Sequence, residues 1–277
     1  MTRPEGLALD VLSLGRGRRE LIFLHGFGAS RFTWRSWRDR LGDDYRLHLL
    51  DLKGFGTAAR PRDAAYSPTD LAGEVVTFLT SSGVGEYALV GHSMGGGIAL
   101  SVTVEMARLE QSPPGALILV GAAAYPQTIP RLINLARLPL AGAAISVVPA
   151  RTLARMGLRA AYHPDHTPGA EVVEGYADGL RGLRARWAMR QVAARIVPED
   201  LADLTSRYPT IGCPTLLLWG NEDRVIPRWV GDRLHRELPD SELVVLDQCG
   251  HVPPEERPEA SLGIVSDFLA RRFPATP

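Results

Sequence analysis

The chain reads Tyr-Ala-Leu-Val-Gly-His-Ser-Met-Gly-Gly-Gly-Ile-Ala-Leu over residues 87–100. An apolar run typical of a buried strand ends at Val90 and a helical pattern follows the turn, so Ser93 lies at the apex between them. A sharp turn brings strand and helix close together, which requires residues without a side chain at Gly91 and Gly95. The pattern predicts a G-x-S-x-G nucleophile elbow, with the serine hydroxyl at the positive end of the helix.

The order of the other segments indicates the fold class. Apolar runs rich in branched residues predict strands that are covered on both faces, as in a parallel sheet. These runs are residues 7–14, 21–24, 47–50, 88–90, 117–120, 216–219 and 243–246. Helical patterns over residues 67–81, 93–109 and 260–273 lie between or after them. The alternation predicts an α/β fold with a mostly parallel central sheet flanked by helices.

The regular alternation stops between residues 125 and 209, where alanine, leucine and arginine dominate and prolines separate short helical pieces. No segment of this region has a strand pattern. We therefore expect a helical cap of residues 125–209, inserted into an α/β core that residues 1–124 and 210–277 form.

Composition limits the function classes. Of the 277 residues, 45% are hydrophobic and 22% are charged, which is typical of a folded globular protein. The 31 basic residues balance the 31 acidic ones, so no overall field favours nucleic acid or an anionic membrane. We expect a small-molecule partner instead, and a homo-oligomer remains open.

The cellular setting is inferred from cysteines and from apolar runs. Cys213 and Cys249 are the two cysteines of the chain, too few for a disulfide framework, which favours the reducing cytoplasm. Residues 1–6 lack the apolar region of a signal peptide, and no apolar run is long enough to span a membrane. A cytoplasmic protein is the expectation.

A nucleophilic serine needs an imidazole base that a carboxylate orients. His251 follows the strand pattern 243–246, and loops at the carboxyl ends of parallel strands carry the catalytic groups of α/β folds. We therefore expect His251 to be the base. The other six histidines are explained by structural or solvated positions, and His163 and His166, an H-x-x-H pair in the predicted cap, are a weak metal motif. These others are His25, His48, His92, His163, His166 and His235.

The acid is sought at the ends of the other strands. Asp223 and the adjacent Glu222 follow the strand pattern 216–219, and only one of them need face the imidazole. Asp51 also ends a strand, but it lies in a glycine-rich turn of its own. We rank Asp223 first and keep Glu222 as the alternative.

Five motifs occur in the order that is typical of one superfamily. They are His25-Gly26-Phe27-Gly28, Asp51-x-x-Gly54-x-Gly56, the elbow, Gly220-x-x-Asp223 and Gly250-His251-x-Pro253. With them, the chain resembles the α/β-hydrolase fold superfamily, in its branch of capped serine esterases and carbon–carbon bond hydrolases. The resemblance implies a Ser93–Asp223–His251 triad and no metal or organic cofactor. It also implies an oxyanion hole made by the backbone amides of Met94 and Phe27, with Gly28 as the alternative to Phe27.

The same resemblance excludes haloalkane dehalogenases and epoxide hydrolases, which have aspartate at the elbow apex. We expect a serine hydrolase that cleaves carboxylic esters of small, largely apolar substrates through an acyl-enzyme. Apolar residues of the cap, around 132–148 with Trp187 and Met189, would either line the substrate site or only pack on the core.

Sequence does not separate ester hydrolysis from lactone opening, thioester hydrolysis or peroxide-using perhydrolysis at the same site, and two further alternatives stay open. A hydrolase of carbon–carbon bonds in vinylogous diketones would use the same triad and would need a positive charge from the cap, for which Arg186 and Arg190 are candidates. A non-catalytic ligand receptor of the same fold would bind small molecules without turnover. A positive charge beside the site distinguishes the carbon–carbon bond hydrolase from an esterase, and measured turnover distinguishes an enzyme from the receptor.

Overall fold

A computed structural model of the chain describes residues 6–275. Residues 1–5 and 276–277 lie outside the described part. The prediction about a signal peptide at residues 1–6 therefore falls mostly outside it, as do the two ends of the predicted core. Seven strands form one sheet in the order β1-β3-β2-β4-β5-β6-β7. Their bounds are β1 Asp10–Leu14, β2 Glu20–Leu24, β3 Arg46–Asp51, β4 Tyr87–His92, β5 Ala116–Val120, β6 Thr215–Gly220 and β7 Ser241–Leu246.

All neighbouring strands run parallel except β1, which pairs antiparallel with β3. The predicted first strand began at residue 7, whereas β1 begins at Asp10. The α/β fold with a mostly parallel sheet is confirmed.

The central strands are buried because helices cover both faces of the sheet. Along β2, Ile22 and Leu24 pack into the core on one face, whereas Leu21 and Phe23 pack into the core on the other. This double burial explains why the strands are continuous apolar runs rather than alternating patterns.

Three α-helices of the described residues precede β5, namely α1 Arg35–Leu41, α2 Pro68–Ser81 and α3 Met94–Arg108. The α2 helix begins with a capping box, in which the Ser67 hydroxyl accepts the Asp70 amide at 3.1 Å and the Asp70 carboxylate accepts the Ser67 amide at 2.8 Å. The helix thus begins where its sequence indicated.

Six α-helices occupy the interval between β5 and β6, and residues 121–214 contain no strand. They are α4 Arg131–Arg137, α5 Pro139–Ile145, α6 Ala150–Ala161, α7 Ala170–Gly179, α8 Leu183–Ala194 and α9 Leu201–Ser206. The chain then returns to the sheet and adds α10 Trp229–Glu237, α11 Pro253–Glu256 and α12 Pro258–Arg272. Among the helices of residues 6–275, none is both long and apolar enough to cross a membrane.

Candidate active site

Ser93 lies at the apex of a strained turn between β4 and α3, with φ of 56° and ψ of −119°. Its amide donates a 2.9 Å hydrogen bond to the carbonyl of Val120, on the neighbouring strand. A Cβ at Gly91 would lie 2.5 Å from the Gly95 carbonyl oxygen, and a Cβ at Gly95 would lie 2.2 Å from that of Leu24. Side chains at these two positions would collide with backbone, which explains the glycines around the serine.

The imidazole of His251 and the carboxylate of Asp223 are in direct contact. The Nδ1 of His251 is 2.7 Å from Oδ2 of Asp223, and both side chains are buried. The other carboxylate oxygen, Oδ1, accepts the amides of Val225 and Ile226, each at 2.8 Å. Because the backbone holds Oδ1, Oδ2 is fixed in place and orients the ring. A carboxylate oxygen accepts the proton of Nδ1–H, and this tautomer leaves Nε2 free of a proton and able to accept one.

The competing carboxylates have other partners. Glu222 accepts the amide of Cys249 at 3.1 Å and supports the loop before His251 rather than its ring. Asp51 accepts the amides of Arg31 at 2.7 Å and Thr57 at 2.8 Å, and so closes its own turn. Asp223 is therefore the acid that contacts the imidazole.

Ser93 and His251 line the same cavity, together with Gly26 and Phe27. Within residues 6–275, no hydrogen bond joins the Ser93 hydroxyl to the His251 ring. The structure thus brings the Asp223 carboxylate and the His251 imidazole into contact, and Ser93 lines the same cavity as His251. Such bonds are often long in the absence of substrate and shorten when substrate binds.

The two residues predicted to form the oxyanion hole both lie at cavities that contain Ser93: Phe27 lines the cavity with His251, and Phe27 and Met94 line an adjoining one. Neither the Phe27 amide nor the Met94 amide has a hydrogen-bond acceptor in the described part of the chain. The loop that carries Phe27 is held by His25, whose Nδ1 donates to the Gly26 carbonyl at 2.8 Å and whose Nε2 accepts the Leu52 amide at 3.1 Å. Complete burial lowers the pKa of His25, so the ring stays neutral in this role.

His92 supports the other side of the site. Its Nε2 donates to the carbonyl oxygen of His251 at 2.8 Å, and the two ring centroids are 4.7 Å apart. Burial lowers the pKa of His92 to about 3. From the sequence, local turns alone explain His25 and His92, and their contacts with the site are not predicted. The available signal is their position in the chain, near Phe27 and next to Ser93.

Two cavities meet at Ser93. One of about 160 Å³ contains Ser93 and His251, and we call it the His251-side cavity. The other, of about 100 Å³, contains Ser93 and Met94, and we call it the Met94-side cavity. Apolar side chains dominate both linings, and among the described residues no Lys, Arg, Asp or Glu lines either one.

Some of the apolar residues around 132–148 and 187–189 line a cavity, whereas others do not. Leu132 and Met189 line the His251-side cavity. Trp187 instead packs edge-on against Tyr66, with ring centroids 5.5 Å apart, and Leu140 is 88% exposed. Cavity lining and packing thus both occur, on different residues.

The arginines considered as a cap-derived charge do not line either cavity. The buried guanidinium of Arg186 donates to the carbonyls of Leu180, Ile145 at 3.1 Å and Val148 at 2.9 Å. Burial lowers its pKa. Arg186 thus connects three carbonyls within residues 145–180. Arg190 lies beside Gly142 on α5.

The H-x-x-H pair lies against a carboxylate. The ring centroids of His163 and His166 are 5.3 Å apart, and Nδ1 of His166 is 3.2 Å from Oε2 of Glu256. Within residues 6–275, no group of three or more His, Cys, Asp or Glu side chains is arranged to hold a metal ion.

Comparison with known proteins identifies the family of this chain. A model of the alpha/beta hydrolase family matches residues 21–262. The uncharacterized hydrolase YugF of Bacillus subtilis (strain 168) is 32% identical over 257 residues, which cover 91% of this chain and 90% of the relative. A 2-hydroxy-6-oxononadienedioate/2-hydroxy-6-oxononatrienedioate hydrolase of Burkholderia vietnamiensis (strain G4) is 27% identical over 264 residues, which cover 93% of this chain and 89% of that protein.

A solved structure agrees over nearly the whole chain. A thermophilic esterase from Thermogutta terrifontis has a TM-score of 0.76 and 25% sequence identity, covering 98% of this chain and 96% of that one. With the family match over residues 21–262, these similarities show that the chain belongs to the alpha/beta hydrolase family.

Proposed function

We propose that the protein is a serine hydrolase of carboxylic esters with small, largely apolar acyl and alcohol groups. The observation that carries the proposal is the 2.7 Å contact between Asp223 and His251, at the wall of an apolar cavity that also contains the elbow serine Ser93. This arrangement provides a nucleophile, a base and an orienting acid.

In the proposed reaction, Nε2 of His251 takes the proton of the Ser93 hydroxyl as its Oγ attacks the ester carbonyl carbon. The carbonyl oxygen becomes an oxyanion, and the amides of Phe27 and Met94 donate to it. His251 then gives its proton to the departing alcohol, which leaves an acyl group on Ser93. Water hydrolyses this acyl-enzyme through the same base.

The linings support an uncharged substrate. A charged group buried without a partner is costly, and neither cavity offers a Lys, Arg, Asp or Glu side chain among the described residues. We propose that residues 125–209 act as a cap, because Leu132, Leu153, Leu158 and Met189 from this segment line the His251-side cavity.

Carbon–carbon bond hydrolysis is the second candidate, because of the relative from Burkholderia vietnamiensis. The substrates in that relative's name are dioates, so they carry carboxylates, which a site recognises with positive charge. Arg186 is occupied by three backbone carbonyls instead. The geometry therefore favours the ester hydrolase.

The setting is proposed from the thiols. Cys213 and Cys249 are both free, as expected in a reducing compartment. We propose a cytoplasmic enzyme that acts on a small-molecule ester.

The test is the rate of ester hydrolysis by the Ser93→Ala protein. We expect kcat to fall by a factor of about 10⁴ or more, as in triad knockouts, on a panel of p-nitrophenyl esters. Ser81→Ala, an exposed serine at the end of α2, is the matched control and should retain full activity. If Ser93→Ala keeps most of the activity, the triad is wrong. If the wild-type protein binds small ligands but hydrolyses no ester or diketone faster than buffer, the receptor alternative is favoured.

A further inference from the structure

We propose that the two cavities are distinct subsites, with the leaving alcohol in the His251-side cavity and the acyl group in the Met94-side cavity. The assignment rests on the proposed function. It predicts a substrate whose alcohol is bulkier than its acyl group.

Proton delivery determines which cavity takes the alcohol. The alkoxide oxygen must receive a proton from Nε2 of His251 as its bond to the acyl carbon breaks, so the alcohol has to lie on the histidine side. His251 lines the larger cavity and does not line the smaller one.

The oxyanion determines the place of the acyl group. The oxyanion must face the amide of Met94, the first residue of α3, and the amide of Phe27, in the loop after β2. With the alcohol toward His251 and the oxyanion toward the amides, the acyl chain is directed away from the imidazole. Met94, Ser101 and Ile196 line the cavity that remains.

The second half of the reaction agrees with this assignment. A water molecule must give a proton to His251 while its oxygen bonds to the acyl carbon. The Ser93 Oγ–carbon bond then breaks, and Oγ recovers a proton from His251. Departure of the alcohol opens the His251-side cavity for this water, whereas an acyl chain in that cavity would block it.

Cavity size gives the direction of the preference. The His251-side cavity has about 160 Å³ and the Met94-side cavity about 100 Å³. Small residues of α6 line the larger one, and a Cβ at Gly157 would meet no atom within 4 Å. A larger side chain is therefore accepted at Gly157 at the cost of cavity space. Ser101 is the corresponding position in the smaller cavity, and its hydroxyl donates to the Gly97 carbonyl of its own helix, at 3.1 Å.

The experiment uses two isomeric esters, benzyl acetate and methyl phenylacetate. They contain the same atoms, but the aromatic ring lies in the alcohol of the first and in the acyl group of the second. We expect the wild-type protein to have the higher kcat/KM on benzyl acetate. Gly157→Leu should lower kcat/KM on benzyl acetate by about tenfold or more and spare methyl phenylacetate, and Ser101→Leu should do the reverse.

The possible results separate the two proposals. Serine-dependent rates that respond in the opposite sense, equally or not at all in the two variants overturn the subsite assignment and leave the ester hydrolase standing. Equal rates of wild-type and Ser93→Ala protein on both esters overturn the proposed function itself. Ala154→Leu and Ile196→Phe repeat the pair of substitutions if thermal unfolding shows that either first variant is not folded.

Discussion

The backbone amide of His251 donates a 2.7 Å hydrogen bond to the carbonyl of Ala161, the last residue of α6. The two backbones lie so close together that residue 250 has no room for a side chain, because a Cβ at Gly250 would lie 2.5 Å from the same oxygen. The proposed catalytic histidine is thus attached through its own backbone to a helix of the 125–209 segment. A displacement of α6 would therefore displace the imidazole as well.

Glu256 strengthens this attachment, and its replacement should weaken it. The buried carboxylate accepts the amides of Gly250 at 3.0 Å, Val252 at 2.9 Å and His163 at 2.6 Å, so it joins both sides of the His251 loop to the residues after α6. In Glu256→Gln an NH₂ group replaces one accepting oxygen and faces these donors. We expect a loss of about 2–4 kcal/mol in the free energy of unfolding.

Urea unfolding and steady-state kinetics measure the two effects of this substitution. Because His251 would be less well positioned, kcat should fall by more than KM changes. Glu259→Gln, an exposed glutamate three residues further along, is the control and should change neither quantity. An unchanged unfolding midpoint for Glu256→Gln would contradict the proposed attachment.

Asp223 and Glu222 offer a matched test of the acid, because they are adjacent and differ in what they contact. Asp223→Asn presents an amide to His251 Nδ1 and allows the wrong tautomer, so kcat for ester hydrolysis should fall by about 10⁴. Glu222→Gln removes a charge that accepts the Cys249 amide and leaves the imidazole contact intact. Its kcat should change by less than about tenfold, since it acts on the ring only through the loop. The reverse order of effects would identify Glu222 as the acid.

The fold was predictable because its signals are local. Each central strand is covered on both faces, and this burial produces the continuous apolar runs that mark β2, β4, β5 and β6 in the sequence. The elbow was predictable for a similar reason, because close backbone approach at Gly91 and Gly95 permits only glycine. Asp223 contacts the His251 ring, whereas Glu222 contacts the Cys249 amide, and kinetics of the two variants test which of them is the acid.

The supporting contacts were not predictable because their partners are distant in the chain. His92 and His251 are 159 residues apart, and nothing local to either one indicates the bond between them. The same holds for Arg186, which in the sequence is a candidate for a substrate-binding charge. Its backbone acceptors come together only through the packing of the helices within residues 125–209. Sequence patterns identify which residues can act and leave their distant partners undetermined.

Burial of His92 predicts a loss of stability in acid. The pKa of this ring falls from its ordinary 6.5 to about 3 in the folded protein. Between these values the unfolded chain binds a proton that the folded chain does not, so the free energy of unfolding decreases as the pH falls below 6.5. At about pH 4.5 the loss from this one residue is about 3 kcal/mol.

Urea unfolding at neutral pH and near pH 4.5 measures this dependence. His92→Gln retains a donor for the His251 carbonyl and removes the titrating ring, so its free energy of unfolding should decrease less on acidification than that of the wild-type protein. His25 contributes in the same direction in both proteins, because burial also lowers its pKa. Equal acid sensitivity of the two proteins would show that His92 is not the group responsible.

Arg186 distinguishes a structural charge from a substrate-binding one. Its guanidinium donates to the carbonyls of Ile145 and Val148 and to that of the more distant Leu180, and the side chain is buried. A lysine keeps the charge but lacks the planar fork that reaches three acceptors, so Arg186→Lys and Arg186→Met should both lower the free energy of unfolding, by about 2–4 kcal/mol. For a substrate-binding charge, lysine would instead retain the affinity for carboxylate-bearing substrates and methionine would lose it.

Unfolding free energies, measured beside KM for a neutral ester and for a carboxylate-bearing diketone, separate these cases. A normal free energy of unfolding in both variants, with a raised KM for the charged substrate in Arg186→Met alone, would favour the carbon–carbon bond hydrolase.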